Sequence, residues 1–177
     1  PDLESLESLV AHQIEAGATG LLLLDRSGAP EKLSLPEMQS VVSTVVRRVA
    51  GRVPVVVAVH NGDPALAIQL AGSWGVDAFL VQPQRTVPPE SRLQFPQFTA
   101  FKRAVKVPVI LDYSPLPGSA PLESAEIDGL LNSTDEAGHV LVNGLPAGPL
   151  LSALRERSGG TTSTFSGFSG LHMVDAL

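Results

Sequence analysis

Apolar positions along the chain recur first at helical spacing, then in short unbroken runs, and the two patterns alternate. From Asp2 to Ala16, Leu3, Leu6, Leu9, Val10 and Ile14 stand three or four apart, with Asp2 placed to cap and Gly17 to stop a helix. Gly20 to Leu24 is apolar without alternation, as expected of a strand covered on both faces of a parallel sheet. The alternation then predicts a helix over Leu35–Ala50, a strand over Val53–Val59, a helix over Pro64–Trp74 that Asp63 caps, and a strand over Ala78–Val81. A helix over Ser91–Val105 and a strand over Val107–Leu111 follow. Beyond residue 115 the pattern thins to strands at Ile127–Leu131, Val140–Val142 and Thr161–Phe165 and a helix at Pro149–Arg157. Short helix-to-strand joints, such as Gly17-Ala18 and Gly75-Val76-Asp77, are of the kind that link successive parallel strands.

Seven strands in such a run of strand–helix units predict an α/β fold, a (β/α)8 barrel rather than an open doubly wound sheet. A typical barrel takes about 250 residues, and this sequence has 177. The expected fold is therefore a single barrel domain over residues 1–177, incomplete or trimmed, without its first strand and some helices. The shortage falls at two places. Residues 114–126 are lean in helix signal, and Asn132 to His139 is shorter than the roughly ten to twelve residues that a parallel crossover needs. Either helices have been lost on that side, or stretches of chain are missing from it.

Composition removes several kinds of chemistry. The chain has no cysteine, which excludes disulfides, thiolate nucleophiles and cysteine-ligated metal sites. A net charge of −6 with dispersed arginines, one Trp and one Tyr provides neither a basic stripe nor a stacking platform for nucleic acid. The apolar runs fall far short of the roughly 20 residues of a membrane span. No secretory signal opens the chain, so a cytoplasmic location is the expectation.

Ligands of parallel α/β folds meet the loops that follow the strands. Here those loops carry Asp25-Arg26-Ser27-Gly28, His60-Asn61-Gly62, Gln82-Pro83-Gln84, Asp112-Tyr113-Ser114, Asn132-Ser133-Thr134 and Asn143-Gly144. This polar ring suits a small carboxylate or sugar-like molecule, held through Arg26 and the amides. Tyr113, the only tyrosine, either relays a proton or packs as a structural aromatic. His60 is either a base or a hydrogen-bonded loop residue. Asp25, His60 and Asp112 would make a hard-metal site only if the fold converges them. Gly159-Gly160-Thr161-Thr162 and Ser166-Gly167 match neither a P-loop nor a dinucleotide fingerprint.

In order along the chain, Ala16-Gly17-Ala18-Thr19-Gly20 into Leu24, Ser27-Gly28, Leu33-Ser34 with Glu37, Arg52-Val53-Pro54-Val55, Gly75-Val76-Asp77-Ala78, Val81-Gln82-Pro83, Val107-Pro108-Val109-Ile110 and Asp112-Tyr113-Ser114-Pro115 resemble the pyruvate-dependent aldolases related to dihydrodipicolinate synthase and N-acetylneuraminate lyase. The resemblance spans nearly the whole chain. It implies a (β/α)8 barrel, carbon–carbon lyase or synthase chemistry on a keto acid, no cofactor and no metal, and a dimer or tetramer. It also implies a Schiff base between pyruvate and a lysine of the sixth strand, with a tyrosine and a loop threonine relaying protons. Aligning Ile127-Asp128-Gly129-Leu130-Leu131-Asn132-Ser133 with that strand puts Leu131 at the lysine position. The chain has only three lysines: Lys102 and Lys106 belong to the wrong end of the barrel, and Lys32 reads as a solvated loop charge.

The resemblance thus implies a divergent family member that forms no lysine Schiff base. Tyr113 and Ser27 are its candidate catalytic residues, and Arg26, Gly28, His60, Asn132 and Asn143 its candidate ligand-binding residues. Its expected partner is a small keto acid or carboxylate, with no nucleic acid and no membrane. Two alternatives stay open: an inactive paralogue that binds a small acid or regulates a partner, and a metal-assisted aldolase using Asp25, His60 and Asp112.

Overall fold

The computed structural model describes residues 1–59, 74–81, 95–114, 138–143 and 147–167. The elements in chain order are α1 (Leu3–Glu15), β1 (Leu21–Leu23), two 3-10 turns (Arg26–Gly28 and Pro30–Lys32), α2 (Leu35–Val49), β2 (Val55–Val59), β3 (Ala78–Val81), α3 (Phe95–Ala104), β4 (Val109–Tyr113), β5 (His139–Val142), α4 (Gly148–Ser158) and β6 (Ser163–Ser166). The strands lie in the sheet in chain order, β1-β2-β3-β4-β5-β6. The β1–β2, β4–β5 and β5–β6 pairs are parallel. A doubly wound sheet would reverse its strand order at a switch point, whereas a barrel keeps it.

The chain divides into two compact units. Of the described residues, the first holds 1–59, 74–80 and 104–108, and the second holds 81, 95–103, 109–114, 138–143 and 147–167.

In the first unit, α1 and α2 pack over one face of β1 and β2. Val10, Val45, Val49 and Val55 are buried together, with Leu6, Ile14, Leu21, Leu23, Val46 and Val53 around them. Local chemistry sets both helix starts. The Asp2 carboxylate accepts from the Ser5 backbone N–H at 3.0 Å and from its hydroxyl at 2.7 Å, satisfying donors that a helix start leaves open. Ahead of α2, the Glu37 carboxylate accepts from the Ser34 N–H at 2.8 Å and its hydroxyl at 2.7 Å, one half of a capping box. Arg52 closes α2 by donating to the carbonyls of Val49 and Arg48. At the start of β2, the Val55 N–H donates to the Asp77 carboxylate at 2.8 Å, while the Asp77 N–H donates to the Val55 carbonyl at 2.9 Å.

In the second unit, β5 runs between β4 and β6 in a continuous register: Ile110, His139 and Ser163 stand level, as do Tyr113, Val142 and Ser166. Leu151 and Leu154 of α4 are fully buried, as are Phe98 and Phe101 of α3.

Most expected elements appear; apart from the start of the helix expected at Ser91, which lies outside the described residues, their ends are displaced by at most two residues. The strand expected at Val107–Leu111 begins at Val109, after Val107-Pro108, because proline has no N–H to give a ladder. The helix over Pro64–Trp74 falls outside the described residues except for its last position. Ile127–Leu131 lies outside them altogether. Among the described strands, however, β5 pairs directly with β4. The neighbour of the Tyr113 strand among them is therefore His139–Val142.

Candidate functional site

The candidate residues sort by unit. After β1, Leu24 takes a left-handed backbone, with φ of 57°, and the chain turns into the 3-10 helix that carries Arg26, Ser27 and Gly28. A left-handed leucine is unusual, since its Cβ crowds the carbonyl, and such residues are held by their surroundings. Asp25 caps this turn: its carboxylate accepts from the Ser27 hydroxyl at 2.9 Å and its carbonyl from the Gly28 N–H at 2.9 Å. The hydroxyl expected to relay protons is thus already donated to Asp25. Arg26 is exposed and makes no ion pair among the described residues. Lys32 ends the next 3-10 turn, also exposed.

In the second unit, β4, β5 and β6 end level with one another. The register continues one step past the ladder, where the Asn143 N–H donates to the Tyr113 carbonyl and the Gly167 N–H to the Val142 carbonyl, both at 2.9 Å. Ser114, Asn143 and Gly167 thus form a row across the carboxyl ends of three strands.

Strand pleating decides which side chains share that row's face. Leu111, Tyr113, Val140 and Val142 occupy one face and are all buried, Tyr113 at 5% exposure. The alternate positions Ile110, Asp112, His139 and Leu141, with Ser114 and Asn143 above them, occupy the other. On this second face Asp112 is buried at 4% exposure, and its carboxylate accepts a 2.6 Å hydrogen bond from the Ser114 hydroxyl. A buried carboxylate needs such donors to offset lost hydration. The strand end therefore groups Asp112, Ser114 and Asn143, while Tyr113 points to the opposite face. Tyr113 reads from the sequence as the proton relay because it is the only tyrosine at a strand end. The pairing register, which the sequence does not display, assigns that face to Asp112.

His139 shares the Asp112 face but begins β5, at the opposite end of the strands, with its ring 6.4 Å from that of Phe165. His60 and Asn132 lie outside the described residues. Among the described residues no three His, Asp or Glu side chains gather as they would around a metal ion. No described helix is long and apolar enough to cross a membrane.

Parallel strands in chain order, with polar residues level across their carboxyl ends, define the class: the fold is part of a (β/α)8 barrel, with its candidate site on the face where such barrels carry theirs. Within that class the chain belongs to the dihydrodipicolinate synthetase family, whose pattern its residues 2–111 match. The 4-hydroxy-tetrahydrodipicolinate synthase of Ruegeria pomeroyi is 32% identical over 151 residues, which cover 78% of this chain and 52% of that protein. The dihydrodipicolinate synthase of Aquifex aeolicus superposes with a TM-score of 0.79 at 23% identity, covering 98% of this chain and 60% of that one. The chloride-inhibited dihydrodipicolinate synthase of Acinetobacter baumannii, solved with pyruvate, gives 0.74 at 24% identity, covering 94% of this chain and 57% of that one. The chain spans about half the length of the Ruegeria relative.

Proposed function

We propose that this protein binds a small keto acid of the pyruvate type at the carboxyl ends of β4–β6 and holds it without forming a lysine Schiff base. The observation that carries the reading is the end of β5, which runs His139-Val140-Leu141-Val142-Asn143 and offers an amide but no amine. Its neighbour β4 carries Asp112-Tyr113-Ser114, the segment resembling the family's fifth strand, while Leu131, the expected lysine position, lies outside the described residues. The lysines elsewhere do not compensate: Lys102 is on α3, Lys106 precedes β4, and Lys32 is exposed in a loop of the other unit. An imine requires an amine at the reacting carbonyl.

In this reading Asn143 donates its amide N–H groups to the ligand's oxygens, and the Asp112–Ser114 pair is the local proton-handling group in place of Tyr113. Arg26, exposed in the first unit, is proposed separately to bind a carboxylate. The Acinetobacter relative solved with pyruvate supports the choice of ligand class. A dimer or tetramer belongs to the same proposal, and sedimentation velocity measures it.

The test is pyruvate titration by calorimetry together with intact mass after pyruvate and borohydride. Binding without added mass is the expected result. A trapped adduct would overturn the non-covalent reading, and absence of binding would overturn the ligand class.

A further inference from the structure

The contact between Asn143 and Gly167 carries more than ladder geometry. A methyl group built at Gly167 would sit 2.5 Å from Asn143 Oδ1, 3.0 Å from its Cγ and 3.2 Å from its Cβ, closer than atoms in contact approach one another. The backbone does not explain the glycine, because Gly167 is not among the glycines with positive φ, which are Gly17, Gly51, Gly75, Gly159 and Gly160. Space does: only a residue without a side chain lets the Asn143 carboxamide lie across the end of β6. The backbone at both positions is fixed by the ladder, through Asn143 N–H to Tyr113 and Gly167 N–H to Val142. The side chain of Asn143 is half-buried, and its amide is neither hydrogen-bonded to a described residue nor an orphaned buried group. It is thus placed and accessible, with two N–H donors uncommitted among the described residues.

We propose that Gly167 is a positioning residue that sets the Asn143 carboxamide over the end of β6, and that this placed amide binds the carbonyl or carboxylate oxygen of a small acid. The ligand half rests on the function proposed above; the steric half does not. A neutral amide suits this task on the face that also carries the buried Asp112 carboxylate, since it holds an oxygen by hydrogen bonds alone.

The experiment compares wild type, Gly167→Ala, Asn143→Ala and the double variant, with pyruvate as the probe and two readouts. One is pyruvate affinity. The other is the side-chain amide resonance of Asn143 in the ligand-free protein, assigned by its loss in Asn143→Ala. Gly167→Ala is expected to displace that resonance and to weaken pyruvate binding by about tenfold, the scale of one lost hydrogen bond. The double variant is expected to bind no more weakly than Asn143→Ala alone. An unmoved resonance in Gly167→Ala, or additive losses in the double variant, would overturn the pairing. If wild type binds no pyruvate while the resonance still moves, the keto-acid reading fails and the contact is packing only. Should Gly167→Ala not fold, undiminished affinity in Asn143→Ala would by itself overturn the ligand role.

Discussion

In the proposed site Asp112 and Asn143 supply the polar groups at the strand ends, and both are open to single substitutions. Ser114→Ala removes the hydroxyl that donates to the buried Asp112 carboxylate at 2.6 Å. We expect a loss of about 1–3 kcal/mol, the cost of a buried acceptor left short of a partner, measured as a lower urea midpoint at unchanged slope. Tyr113→Phe keeps the buried ring on the opposite face and is expected to leave pyruvate affinity within about twofold, whereas Asp112→Asn alters the charged group on the Asn143 face. The proposed ligand position at the end of β5 has its own test. Asn143→Lys places an amine there and is expected to gain a borohydride-trapped pyruvyl adduct by intact mass. No adduct would overturn the placement of the ligand at that strand end.

Elements in this protein are held by caps and by one-sided burial, and each responds differently. The Glu37 carboxyl lies below its ordinary pKa, first because the Ser34 hydroxyl donates to it and then because the Ser34 N–H does. The Asp2 carboxyl is lowered in the same sense by the Ser5 N–H and hydroxyl. A carboxyl with a depressed folded pKa contributes stability above its unfolded pKa and loses it as pH falls through the folded value. The start of α2 is therefore expected to weaken as pH drops below about 4, and Glu37→Gln should flatten the pH dependence of thermal stability in that window. In the second unit, Leu154 of α4 is fully buried; Leu154→Ala is expected to cost about 2–5 kcal/mol through lost burial and the cavity left behind, read by denaturant unfolding.

At the scale of the molecule, ligand binding and folding are linked, because a ligand that binds only the folded chain stabilises it by mass action. Pyruvate at about one hundred times its dissociation constant is expected to add about 2.7 kcal/mol, seen as a melting temperature raised by roughly 5–10 °C for a chain of this size. No rise at concentrations that saturate calorimetric binding would show that the site is not part of the folded structure.

The sequence by itself determined the kind of fold and most of its elements, because apolar periodicity and caps act over three or four residues and are written locally. Asp2 before α1, Ser34 with Glu37 before α2, and the unbroken apolar run of β3 all read directly from neighbouring residues. The scarcity of lysine was equally legible, since it needs only a count. Only the tertiary structure decided which strand lies beside β4 and which side chains share a face. His139–Val142 is short, and nothing local names its neighbour; the hydrogen-bonded register does. Tyr113 and Asp112 are adjacent in sequence, yet pleating sends them to opposite faces, and a one-residue difference in register would exchange them. The contact of Asn143 with Gly167 belongs to the same class of information: two residues far apart in the chain, brought level because β5 and β6 pair in parallel.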